Sequence, residues 1–163
     1  MPEMATETAR TLDPAAIAVI AERFSERPGA LMLVLHEVQC RFGFIPPESV
    51  AHIAQALNLS RAEVHGVASF YRDFRSTPPG RHTIRICRAE SCQAMDAEAL
   101  AAHIRERLGI DFGETTADAA FTLEPVFCFG NCACSPAIAI DGELHGRVTP
   151  AVFDELIASV EKE

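Results

Sequence analysis

Six cysteines are the residues of this 163-residue chain whose type and spacing suggest chemistry. Four of them form two pairs, Cys87 with Cys92 as C-x4-C and Cys128 with Cys132 as C-x3-C. Four thiolates that converge from two loops suit a 2Fe-2S cluster or a tetrahedral zinc ion. Zinc knuckles and dithiol redox centres more often use C-x2-C spacing. The spacing therefore favours the cluster over structural zinc and over a thiol oxidoreductase.

The residues around the four thiols are small or turn-forming, which suits loops that wrap a charged group. They are Ala89, Ser91, Gly130, Asn131 and Ala133. Such residues let backbone N-H groups approach the sulfurs, and hydrogen bonds to the sulfurs tune the potential of a cluster.

The other two cysteines have different interpretations. Cys40 stands among apolar neighbours in a predicted helix, which predicts core packing. Cys134 makes a C-x-C with Cys132 and is an alternative ligand, a near-cluster thiol or an adjacent small residue, and the last interpretation is the simplest. The six histidines form no H-x-x-x-H pair and are predicted to be surface or core residues.

Composition limits the class of protein and its compartment. The first 13 residues lack the basic and apolar regions of a secretory signal, and no stretch approaches the roughly 18 apolar residues of a membrane span. These features predict a cytoplasmic protein without direct membrane contact, in which clustered cysteines favour metal or redox work over disulfides. A formal charge of −9 argues against nucleic acid as a partner.

No motif for substrate turnover is present. The sequence has no G-x-G-x-x-G after a strand, no Walker loop and no nucleophile elbow. We therefore predict no catalytic residue in this chain.

The thiols require elements to position them, and the sequence predicts two regions. Residues 1–12 are predicted to be a disordered tail, and residues 13–78 a helical arm. Asp13 before a proline, Gly43 after an apolar stripe and the capping box Ser60 to Glu63 are typical helix ends. The Pro-Pro-Gly turn that begins at Pro78 predicts the boundary.

Residues 79–163 alternate strand and helix. Strands are predicted over residues 82–87 and 121–128, each ending in a cysteine, with a helix between them from the cap Asp96 to Gly109. A hairpin at Asp141 and a helix capped by Thr149 follow. This order predicts an α+β fold, in which an N-terminal helical bundle arm precedes a thioredoxin-like α/β domain. Two adjacent strand ends would bring the four thiols together.

Several longer motifs resemble one family across residues 28–160. CRAESC and CFGNCACSPAIAIDGELHG, preceded by VLHEVQCRFGFIP and LSRAEVHGVASFYRDF, are similar to the thioredoxin-like 2Fe-2S ferredoxin subunit of three enzyme complexes. These are complex I (NADH dehydrogenase), NAD-linked hydrogenases and NAD-dependent formate dehydrogenases. Within the family, CRAESCQ and GETTADAAFTLEPV most resemble the gamma subunit of the soluble molybdenum- or tungsten-containing formate dehydrogenase.

The resemblance implies a function that spacing alone does not. Cys87, Cys92, Cys128 and Cys132 match the family's four cluster ligands. It implies that this chain is a non-catalytic subunit, whose one 2Fe-2S cluster exchanges single electrons with the FMN of a flavin- and NAD-binding beta subunit. Formate oxidation would take place on an alpha subunit that carries molybdopterin, and further iron-sulfur clusters would lie on the partner subunits.

The resemblance also implies that the helical arm docks on the flavin-bearing subunit. Six apolar or aromatic residues of the arm either dock there or fill the arm's own core: Phe42, Phe44, Ile45, Phe70, Tyr71 and Phe74.

Overall fold

The computed structural model describes residues 14–161. The tail predicted over residues 1–12 and the predicted cap Asp13 lie outside the described residues. The chain divides into two compact units between Pro78 and Pro79.

Four helices build the first unit. They are α1 Pro14–Phe24, α2 Ala30–Phe42, α3 Ser49–Ala56 and α4 Arg61–Phe70. Helix α1 packs on α2 and α3, and α4 packs on α2 and α3. Their apolar stripes meet in a core whose most buried members include Ile17, Val34, Leu35, Val38, Ile53 and Val64. Burial of each such side chain stabilises the unit by about 1.5–3 kcal/mol.

Two predicted helix ends of this unit are confirmed. Gly43 follows α2 with a left-handed φ of 84°, and its N-H donates to the Gln39 carbonyl over 2.7 Å. Before α4, the Glu63 N-H donates to Ser60 Oγ over 3.2 Å, and the Ser60 N-H donates to a Glu63 carboxylate oxygen over 2.8 Å. This reciprocal pair is the predicted capping box.

The prediction that Cys40 packs in the core is wrong. Cys40 is exposed, and its Sγ lies 3.7 Å from Nδ1 of His36 one turn earlier. The buried face of α2 carries Val34, Leu35 and Val38. Cys40 lies two residues beyond Val38, so the helical turn of about 100° per residue carries it away from the core.

A four-stranded mixed sheet and three helices form the second unit. They are β1 His82–Cys87, α5 Glu90–Gln93, α6 Ala97–Leu108, β2 Phe121–Val126, β3 Ala137–Ile140, β4 Glu143–Gly146 and α7 Pro150–Val160. The strand order is β2-β1-β3-β4, in which β1 and β2 are parallel and the other neighbours are antiparallel. The predicted α+β class, with a helical arm before a thioredoxin-like domain, is confirmed.

One face of this sheet carries the core. Ile84 and Ile86 of β1 are fully buried and pack in one cluster with Leu100 of α6 and Phe153 of α7. Arg85 lies between these two isoleucines, so it points to the opposite face of the strand, where its Nε donates to a Glu124 oxygen over 2.9 Å. Both long helices thus cover the face opposite to Arg85.

Two predicted turns of this unit are confirmed. Asp141 and Gly142 have φ values of 51° and 89°, as the type I′ turn of a two-residue hairpin requires. Thr149 precedes α7, and its side chain accepts the Val152 N-H over 3.3 Å.

Two other boundaries differ from prediction. The strand predicted over residues 121–128 ends at Val126, because its partner β1 ends at Cys87, which pairs with Val126. Asp96 occupies the N-cap position of α6, but its φ of 62° is left-handed and its side chain makes no capping hydrogen bond. An N-cap side chain needs an extended backbone at that residue to reach the first turn, so the predicted cap fails.

Within residues 14–161, no helix has the length and apolar character needed to cross a membrane.

Candidate metal centre

The two thiol loops begin at one edge of the sheet. Cys87 is the last residue of β1, and Cys128 follows two residues after the end of β2. Because β1 and β2 are parallel neighbours, their carboxyl ends lie at the same edge. The structure thus brings the loops together by the route that the sequence predicts.

The first pair of thiols is buried. Cys87 and Cys92 are each 2% exposed and pack with Ala97 and Ala137. Cys92 lies in the short helix α5, an element that the sequence analysis did not predict. The turn places Cys92 back against the end of the strand that carries Cys87.

The second pair of thiols is exposed. The Sγ atoms of Cys128 and Cys132 lie 3.8 Å apart, and the Gly130 N-H donates to Cys128 Sγ over 3.2 Å. Cys128 has a φ of 131°, a backbone conformation that costs a non-glycine residue about 1–3 kcal/mol. Such strain is typical of functional loops, since surrounding contacts must hold it in place.

Hydrogen bonds and packing join the two loops. Ser91 Oγ of the first loop donates to the Cys132 carbonyl of the second loop over 3.3 Å. The Cys92 thiol donates over 3.4 Å to the hydroxyl of Ser135, which follows the second pair. Phe129 also packs against the buried pair.

Cys87, Cys92 and Cys132 differ in how readily they lose a proton. Burial raises the pKa of Cys87, and the neighbouring Cys128 thiol raises the pKa of Cys132. Burial also acts to raise the pKa of Cys92, but hydrogen bonds with Ser135, with Cys87 and with the Ala137 backbone outweigh it. The pKa of Cys92 therefore lies below its ordinary value, and Cys92 has the environment best suited to a thiolate ligand.

The donor set fits an iron-sulfur cluster. As the side chains stand, residues 14–161 contain no group of three or more His, Cys, Asp or Glu side chains arranged to hold a metal ion, and the thiols form two pairs. The two loops that carry the four sulfur donors nevertheless begin at one sheet edge, and the Gly130 N-H donates to the Cys128 sulfur. Soft thiolate donors with N-H groups aimed at them are what a 2Fe-2S cluster requires.

Cys134 packs against β4. A Cβ added to Gly146 of β4 would lie 2.7 Å from the Cys134 Cβ and 2.9 Å from its carbonyl oxygen. The Arg147 N-H donates to the same carbonyl over 2.7 Å. Cys134 therefore joins the second loop to β4.

Arg88 is a site residue that the sequence analysis missed. Its guanidinium pairs with Glu98 of α6 and lies over the Phe112 ring, 4.9 Å from the ring centroid. Its backbone N-H donates to the Val126 carbonyl over 2.7 Å, and its own carbonyl accepts from the Gln93 side chain over 2.7 Å. Arg88 thus joins the first loop to α6, to β2 and to the Phe112 ring. The sequence signal that could have identified Arg88 is its position directly after Cys87, the last residue of β1.

Comparison with known proteins identifies the family. A family model described as thioredoxin-like [2Fe-2S] ferredoxin matches residues 17–161, so the chain belongs to that family. A subunit of the NADH-quinone oxidoreductase of Pseudomonas aeruginosa is 39% identical over 127 residues, which cover 78% of this chain and 76% of that protein. The HndA subunit of the NADP-reducing hydrogenase of Solidesulfovibrio fructosivorans is 32% identical over 137 residues, covering 84% and 80%.

A solved structure shares the fold. The crystal structure of NAD+-reducing [NiFe]-hydrogenase in the air-oxidized state aligns with a TM-score of 0.69 and 29% identity. The alignment covers 86% of this chain and 24% of the hydrogenase chain, so this protein spans about a quarter of that chain's length.

Proposed function

We propose that this member of the thioredoxin-like [2Fe-2S] ferredoxin family is an electron-transfer subunit that holds one 2Fe-2S cluster through Cys87, Cys92, Cys128 and Cys132. The observation that carries the proposal is the meeting of two thiol pairs at the shared end of β1 and β2. The bound cluster would supply reversible one-electron chemistry. This chain's residues would hold it with thiolates and stabilise its charge with N-H donors.

The difference in burial between the two thiol pairs supports electron transfer through the exposed side of the site. Cys87 and Cys92 are shielded by protein, whereas Cys128 and Cys132 are exposed. A partner that approaches the exposed pair would come nearest to the proposed ligands. We propose that this partner is a flavin- and NAD-binding subunit, whose FMN exchanges single electrons with this chain.

We further propose that the complex is an NAD-dependent formate dehydrogenase, in which the FMN-bearing beta subunit connects to a molybdopterin-bearing alpha subunit. The support is the resemblance of CRAESCQ and GETTADAAFTLEPV to the gamma subunit of that enzyme. A cytoplasmic location belongs to the same proposal, because free clustered thiols suit a reducing compartment.

A second candidate is supported by the relatives. The two named above are subunits of NADH-quinone oxidoreductase and of a hydrogenase. An equivalent subunit of either complex would use the same four thiols, and the chemistry at the far end of the complex would differ. A zinc-stapled interaction module uses the same donors but carries no electrons.

Isolation of the native complex tests the assignment. The chain carries an affinity tag at its C-terminus in its own host, and the purified complex is assayed with NAD+ and formate, with NADH and a quinone, and with NAD+ and hydrogen. We expect a co-purified flavoprotein and formate-dependent reduction of NAD+. Activity with quinone or hydrogen instead of formate would contradict the formate dehydrogenase assignment, and the absence of any flavoprotein partner would contradict the electron-transfer role.

A further inference from the structure

Two serine hydroxyls bridge the thiol loops. Ser91 lies between the cysteines of the first loop, and Ser135 follows the second pair of cysteines. Their Oγ atoms are 3.1 Å apart. Ser135 is 8% exposed, and a buried hydroxyl requires hydrogen-bond partners within the protein.

The partners of Ser135 come from both loops. Its Oγ donates to the Cys132 carbonyl over 2.9 Å, and it accepts the thiol proton of Cys92 over 3.4 Å. Ser91 Oγ lies 3.3 Å from the same Cys132 carbonyl. While Cys92 is a thiol, the Ser135 hydroxyl therefore donates its single proton to the Cys132 carbonyl.

Loss of the thiol proton changes this pattern. A metal-bound cysteine is a thiolate, so the sulfur of Cys92 becomes an acceptor, and its proton leaves for solvent. Two acceptors, the Cys92 sulfur and the Cys132 carbonyl, then face the two hydroxyl protons. The Ser135 hydroxyl can rotate and donate to the Cys92 sulfur, provided that the Ser91 hydroxyl donates to the Cys132 carbonyl. Both acceptors have a hydroxyl donor only when both serines are present.

We propose that Ser135 is a positioning residue that donates a hydrogen bond to the Cys92 thiolate, while Ser91 donates to the Cys132 carbonyl in its place. The two hydroxyls together raise the reduction potential of the cluster. A hydrogen bond to a ligand sulfur favours the reduced state, which carries one more negative charge. The inference rests on the proposed function, because it needs Cys92 as a ligand.

Redox titration of the full chain, purified anaerobically and followed by EPR, tests this inference. We expect Ser135→Ala to shift the midpoint potential to a more negative value and Ser91→Ala to shift it in the same direction by less. Ser135→Thr retains a hydroxyl and should keep the potential near that of the wild type. Ser69→Ala is the matched control, since its hydroxyl donates to the Gly66 carbonyl in α4 and its loss should leave the potential unchanged.

Each outcome of these titrations either supports or overturns the inference. An unchanged midpoint in Ser135→Ala with an intact spectrum overturns the inference and leaves the proposed function in place. Should Ser135→Ala fail to hold a cluster, Ser91→Ala decides: a negative shift supports the hydroxyl pair and an unchanged midpoint overturns it. A wild-type protein without a cluster overturns the proposed function, and the inference with it.

Discussion

Cys92 differs from the other three proposed ligands in its surroundings. It is as buried as Cys87, yet hydrogen bonds with Ser135, with Cys87 and with the Ala137 backbone hold its pKa below the ordinary value. The pKa values of Cys87 and Cys132 are shifted upward. A lowered pKa suits the proposed role of Cys92 as a ligand, because metals bind the thiolate form of cysteine.

Replacement of Cys92 by serine should therefore bleach or destabilise the cluster. A serine oxygen is a harder and less favourable donor for iron-sulfur chemistry than a thiolate. Visible absorption and EPR spectra of anaerobically purified protein measure the effect. Cys40→Ser and Cys134→Ser are matched controls that should keep both signals. Unchanged spectra in Cys92→Ser would remove Cys92 from the ligand set, and a lost signal in Cys134→Ser would add Cys134 to it.

Gly146 is a second residue that matters to the site, because it has no Cβ. Its backbone approaches the second loop so closely that an added Cβ would lie 2.7 Å from the Cys134 Cβ and 2.9 Å from its carbonyl oxygen. We expect Gly146→Ala to displace this loop and to shorten the time for which the protein keeps its cluster in the presence of a chelator.

Gly66→Ala provides the contrast to Gly146→Ala. A Cβ at Gly66, an exposed position inside helix α4, meets nothing within 4 Å, so alanine should stabilise that helix by about 0.8–1.0 kcal/mol and leave cluster retention unchanged. Equal cluster retention in the two variants would show that the close contact at Gly146 does not hold the loop.

At the scale of elements, local signals and tertiary packing account for different parts of the structure. The capping box at Ser60, the turn at Asp141 and the cap at Thr149 follow from short-range hydrogen bonds, so the sequence alone predicts them. The end of β2 at Val126 depends on where its neighbour β1 stops, which no local pattern encodes. The Ser91 to Ser135 bridge joins residues far apart in sequence, so it also escaped prediction.

The capping box offers a stability test of the first unit. Ser60→Ala removes the acceptor of the Glu63 N-H and should lower the free energy of unfolding by about 1 kcal/mol, measured by urea denaturation of the full chain. Ser69→Ala, in the same helix, removes a hydroxyl that caps nothing and is the control. Equal stability of the two variants would contradict the cap's contribution.

The same cap has a pH dependence with a definite sign. Hydrogen bonds from the Ser60 backbone N-H and hydroxyl lower the pKa of Glu63. A carboxyl with a lowered folded-state pKa contributes stability above its unfolded pKa and loses it as the pH falls through the folded value. The difference in the free energy of unfolding between wild type and Ser60→Ala should therefore become smaller in acid. A difference that widens in acid would contradict the role of the ionised carboxylate.

At the scale of the whole molecule, the proposed role of the first unit is to dock on a partner. Of the arm residues predicted to dock or to fill the core, Ile45 is buried, and Phe42 and Phe74 are partly buried against the core. Phe44 is half-buried, and Phe70 and Tyr71 are 77% and 44% exposed. The core thus accounts for Ile45, Phe42 and Phe74, and the exposed Phe70 and Tyr71 are left for the proposed docking on the flavin-bearing subunit.

Removal of this surface should separate the subunits. We expect a chain without residues 1–75 to retain its cluster but to lose co-purification with the flavin subunit, and Phe70→Ser with Tyr71→Ser to weaken that co-purification in the full chain. Val19→Ser is the matched control, since Val19 is 63% exposed on α1 of the same unit. Undiminished co-purification of the truncated chain would contradict a docking role for the arm.

Metal and sulfide analysis of the full chain, purified anaerobically and then reduced for EPR, tests the central claim most directly. Four cysteine thiolates that hold one 2Fe-2S cluster predict a brown protein with about two irons and two acid-labile sulfides per chain, and an EPR signal that appears on one-electron reduction. A colourless protein that contains zinc and no sulfide would contradict the claim and would identify the site as a structural zinc site.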